Sequence, residues 1–199
     1  MTYTFNVLLI GFLFSFQTAF TQNSPFRAFS QLLTRANMIF QKPGGVQETP
    51  TIANRQMNYE YAVKYTHKNF EVRYAIRPLD YLLEDYTAWQ KKKKPGDIML
   101  DPNTLYSSLL QVTILNISGG QLPDIAQFDS VAVRQEFNAD WGATAFVEVG
   151  KEFGQSYKYC MVVALHKENY ADAYIFYLSD TKEGFAELMD AAFYSLRFK

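Results

Sequence analysis

Two adjacent stretches of strict alternation constrain the fold most. Tyr59, Tyr61, Val63 and Tyr65 alternate with Glu60, Ala62, Lys64 and Thr66. Phe70, Val72, Tyr74 and Ile76 then alternate with Glu71, Arg73, Ala75 and Arg77. A period of two is that of a strand, and Thr66-His67-Lys68-Asn69 is the connection between them. Pairing Tyr65 with Phe70 puts every apolar residue on one face and sets Lys64 across from Glu71. A slip of one residue would set apolar side chains against polar ones, so pattern and charge choose the same register. The chain is therefore built on an antiparallel sheet. Pro78 ends its second strand, because it has no amide to donate.

Other segments follow from the same reasoning. Ser24-Pro25 opens a helix, with Phe26, Phe29, Leu32 and Leu33 at helical spacing. Ala36 to Gln41 is a short strand stopped by Pro43-Gly44-Gly45, and residues 46 to 58 read as loop. Leu79, Leu82, Leu83, Tyr86 and Trp89 form a helical stripe. It is followed by Lys91 to Lys94, whose charges complement the carboxyl end of the helix dipole. Asp101-Pro102 caps and starts another helix, with Leu105, Leu109 and Val112 as its expected inner face, and Gly119-Gly120 stops it. Ser130 to Phe137 and Thr144 to Val149 read as strands. Tyr157 to His166 is almost continuously apolar, as in a central strand covered on both faces. Ala171 to Leu178 returns beside it. Asp180 and Glu183 form a capping box for a last helix carrying Phe185, Leu188, Met189, Ala192 and Leu196.

The sum is an α+β chain: a central antiparallel sheet of about six or seven strands with three or four helices on both faces, an α/β/α sandwich. Residues 1 to 21 carry no charged side chain, and their apolar core, Val7 to Phe16, is shorter than a membrane span. Ala19 and Thr21 precede Gln22 at the small-residue positions of a cleavage site. We read 1–21 as a signal peptide and 22–199 as a single α+β domain, exported to a periplasmic or extracellular space. No stable membrane span is expected after leader removal.

The early strand Met38-Ile39-Phe40-Gln41-Lys42-Pro43, the 59–77 hairpin, the late strand pair and the ending Ser195-Leu196-Arg197-Phe198 together resemble the PsbP-like superfamily of α/β/α sandwiches. The resemblance covers roughly residues 37 to 199. It implies a non-enzymatic binding role and carries no functional residue across, because members share a fold more than a chemistry.

The inventory of reactive groups is thin. A net charge of -1 lacks the basic excess of a nucleic-acid binder. The two histidines and single cysteine are too few for a structural zinc site, and no acidic loop spacing suits calcium. No metal or other cofactor is expected. Cys160 lies in an apolar run and reads as a buried, inert thiol. His67 sits in a turn. His166, with Glu168 and Asp172 nearby, is the one candidate base. Cys160 lies ~20 Å away along an extended strand and cannot serve it directly.

Asn138-Ala139-Asp140-Trp141-Gly142 is the most unusual local cluster, and Trp141 with Asp140 are its candidate binding residues, either in a recognition loop or covering a sheet end. The first functional expectation is an exported binding module with a protein partner. The second is a carrier of an apolar small ligand, because 17 Phe and 14 Tyr exceed what a core of this size obviously requires. The third is a hydrolase using His166, which needs that ring exposed in a cleft.

Overall fold

A computed structural model describes residues 25–199. The chain runs α1 (Pro25–Arg35), β1 (Met38–Phe40), β2 (Val46–Glu48), β3 (Tyr61–Tyr65), β4 (Phe70–Pro78), α2 (Asp80–Gln90), a 3-10 turn (Pro102–Thr104) and α3 (Tyr106–Ser118). It continues through β5 (Ala126–Gln127), α4 (Ser130–Phe137), β6 (Trp141–Glu148), α5 (Lys151–Gly154), β7 (Tyr159–Lys167), β8 (Ala171–Ser179), α6 (Phe185–Phe193) and β9 (Leu196–Phe198). The expected leader, 1–21, and the helix-opening Ser24 lie outside the described residues.

Seven strands form one antiparallel sheet in the order β2-β3-β4-β8-β7-β6-β5. The hairpin has the expected register, with Lys64 opposite Glu71 and Val63 opposite Val72. Tyr59 departs from it. The chain turns before β3, where the Glu60 amide bonds the Tyr74 carbonyl, and Tyr59 packs on the face opposite Tyr61. The 46–58 segment is not wholly loop, since β2 pairs along β3. β8 is central and every one of its residues is buried.

Helices cover both faces. On one, which we call the α6 face, α1 brings Phe29 and Leu33, α4 brings Val133 and Phe137, and α6 brings Phe185, Met189 and Ala192. A two-stranded ribbon, β1 with β9, lies over the same core. On the other, the α3 face, Leu110, Ile114 and Ile117 of α3 and Phe153 of α5 pack on Ala62, Ala75, Ala143, Ala145 and Ala164. Small residues on the strands let the α3 backbone come close to the sheet.

Four further expectations are corrected. Ser130–Phe137 is a helix, because the Asp129 side chain accepts from the Val131 and Ala132 amides at 2.9 and 3.0 Å and caps it. Val133 and Phe137, one helical turn apart, are its buried pair, and Val131 is exposed. The inner face of α3 is Leu110, Ile114 and Ile117, while Leu109 and Val112 point outward. The last helix is not opened by a capping box. It starts after Gly184, which takes a left-handed φ of 66°, with no side-chain cap, and Leu196 has already left it for β9. With α4 and α5 included, there are six α-helices among the described residues rather than three or four.

Candidate functional site

The expected cluster at Asp140 and Trp141 lies at one end of the sheet. There the register aligns Arg77, Asp172, His166 and Trp141 on four neighbouring strands, all on the α3 face. Asn138 ends α4 in the left-handed region at φ 49°. The Asp140 amide then bonds the His166 carbonyl at 2.9 Å. The Asp140 carboxylate accepts from the Glu168 amide at 3.0 Å and lies 3.3 Å from Arg134. Its oxygens hold two turns together.

Trp141 is half-buried, with its ring 4.7 Å from Tyr106. Tyr106 in turn stacks on His166 at 4.3 Å. The indole Nε1 is buried without a hydrogen-bond partner, as is Oδ2 of Asp172. Trp141 thus covers the end of the sheet rather than projecting from it.

His166 does have an acid beside it: Nδ1 is 2.7 Å from Oδ1 of Asp172. A carboxylate orients an imidazole in this way in general-base sites. Here the ring is only 3% exposed and lies under Tyr106, so no open cleft presents it to a substrate. Cys160 is fully buried farther along β7, and burial pushes its thiol well up, away from the reactive thiolate. His67 is exposed in the hairpin turn. Among the described residues, no group of three or more His, Cys, Asp or Glu side chains gathers as metal ligands would.

A second polar group is buried deeper on the α3 face. Arg73 is 1% exposed; its Nε donates to Oε1 of Glu71 at 2.6 Å and its Nη1 to the Phe153 carbonyl. The guanidinium also lies over the rings of Tyr59 and Phe153, at 4.9 and 5.0 Å. Sequence reasoning placed Arg73 and Glu71 on the polar side of the hairpin. That side is roofed by α5, so the pair became an internal clasp.

The opposite face holds a largely apolar groove. α6 lies over the sheet, with Phe185 against Phe70 of β4 and Phe146 of β6 and the Tyr177 hydroxyl of β8 near the Ala192 and Phe193 carbonyls. The groove has a volume of about 450 Å³. Phe146 and Met161 come from the sheet, and Phe185, Met189 and Phe193 from α6. Its aromatic lining is fixed by edge-to-face contacts, with Phe146 to Phe185 at 5.3 Å and Phe193 to Tyr194 at 5.1 Å.

Asp190 and Tyr194 complete the groove as its polar residues, both exposed. Partial burial first, and then the charges of Glu136 and Asp190, hold the Tyr194 hydroxyl above its usual value. The sequence pattern did mark Phe185 and Met189 as an apolar stripe, but as core. It could not show that the stripe is only partly roofed. The aromatic surplus was the nearest available signal.

No family model matches the chain, and neither does any curated protein sequence. Among the described residues, no helix is long and apolar enough to cross a membrane.

Proposed function

We propose that this protein is an exported, non-enzymatic binding module that holds an apolar small ligand in the groove beside α6. The observation that carries the reading is the groove itself. Its volume of about 450 Å³ falls within the roughly 300–1,000 Å³ of small-molecule sites, and six apolar side chains, Ala186 included, line it. Export rests on the leader sequence at 1–21, and a binding role agrees with what the PsbP-like resemblance implies. Docking of a protein partner at Asp140 and Trp141 is the weaker reading, because both side chains are engaged within the chain. Hydrolysis at His166 is weaker still, because its ring is enclosed.

The test is titration of the purified protein with N-phenylnaphthylamine, an uncharged fluorophore that brightens in apolar surroundings. Saturable one-to-one binding is expected, and Ala186→Trp, which fills the exposed mouth of the groove, should abolish it. No saturable signal, or an equal one in the variant, would rule the groove out as the site.

A further inference from the structure

We infer that the ligand of the α6 groove is an organic cation, an apolar body bearing an ammonium or similar group. This rests on the apolar-groove reading above and adds the sign of the ligand's charge. The groove offers two things at once. Its walls include the aromatic rings of Phe146, Phe185, Phe193 and Tyr194, whose faces carry negative potential and attract cations. Its mouth carries the Asp190 carboxylate, and Glu136 is close enough to Tyr194 to act on its hydroxyl.

A smaller hollow of about 120 Å³ lies on the other side of Phe193 and carries Asp129 and Glu136. Among the described residues, no Lys, Arg or His side chain lines either hollow. The nearby cations are engaged elsewhere. Lys182 pairs with Glu148 at 3.4 Å and lies over Tyr159, and Arg134 pairs with Asp140. Lys42 shares the hollow on the far flank of α6 with Asp190 and Tyr194, and sits 3.8 Å from Glu48. An anion entering the groove would meet aromatic side chains and a carboxylate, with no cation among the lining residues. A neutral molecule would use only the walls. A cation would use walls and rim together.

The experiment compares three displacers with the same chain and different heads against bound N-phenylnaphthylamine: decyltrimethylammonium, decanol and decyl sulfate, each kept below its aggregation concentration. The ammonium compound should displace the fluorophore at a concentration roughly fivefold or more below that of the alcohol, and the sulfate should be weakest. Asp190→Asn should narrow the gap between ammonium and alcohol. Equal potency of ammonium and alcohol, a preference for the sulfate, or a gap unaltered by Asp190→Asn would overturn the assignment of charge while the groove remains a binding site. Failure of all three to displace the fluorophore would overturn the groove reading and the charge preference with it.

Discussion

The two faces of the central sheet are made from alternate residues of the same strands, yet they close differently. On the α3 face the strands present alanines at 62, 75, 143, 145 and 164, and α3 settles directly onto them. On the α6 face the same strands present Tyr61, Phe70, Tyr74, Phe146 and Met161. On this face a groove remains beside α6, around Phe146 and Met161. The alanine patch thus lies under α3 on one face, while the larger Phe146 and Met161 border the groove on the other.

The sharpest way to break the sealed face is at its buried clasp. Arg73→Ala would remove the guanidinium that donates to the buried Glu71 carboxylate and should cost about 3–5 kcal/mol, read by urea denaturation. Glu71→Leu combined with Arg73→Met should restore most of that loss, because an apolar pair needs no compensation. If the single and double variants were equally unstable, the clasp would be passive packing.

Overfilling separates the two faces next. Ala143→Leu, at a fully buried position under α3, should cost about 1–3 kcal/mol. Ala186→Leu, at the groove mouth, should change stability by less than about 0.5 kcal/mol. Similar losses at both positions would erase the distinction drawn between the faces.

Gly142 marks the point where the α6 face is tight. A Cβ there would stand 2.8 Å from both Phe128 Cδ2 and Val133 Cγ2. Gly142→Ala should therefore cost about 1–2 kcal/mol by pushing α4 outward. An unchanged thermal midpoint would show that α4 yields freely.

The smallest effect belongs to the surface. Arg35 donates to both carboxylate oxygens of Asp80, at 2.8 and 2.7 Å, tying α1 to α2. That bond holds the Asp80 carboxyl below its usual value. A depressed carboxylate stabilises the fold above its unfolded pKa and loses that contribution as pH falls through its folded one. Asp80→Asn should destabilise by less than about 1 kcal/mol near neutral pH, and the difference should vanish in acid. A difference that persists in acid would mean that charge is not its source.

The hairpin and its register were legible because alternation and the Lys64–Glu71 pair agree. The buried pair β7 and β8 was legible because apolar runs of that length have few other uses. α4 was not, since Val131, Val133 and Phe137 fit a strand about as well as a helix over eight residues, and the Asp129 cap was the deciding signal. α3 carries apolar residues on two sides, so local pattern could not choose between Leu109 and Leu110 as the inner position. Contact with the alanine patch made that choice. At the candidate site, Asp140 and Trp141 stood out as unusual neighbours. The groove depends on how far α6 reaches across the sheet, a spacing between elements that no single segment encodes.

The β1–β9 ribbon has a consequence for how the molecule is made. Met38 faces Phe198, Phe40 faces Leu196, and the Lys199 amide bonds the Asn37 carbonyl. During synthesis β1 must wait until β9, far along the chain, has been made. Joining partners so distant along the chain is slow. Removing β9 would strand Met38 and Phe40 without their mates, so this ribbon closes only after almost all of the sheet between them has been made.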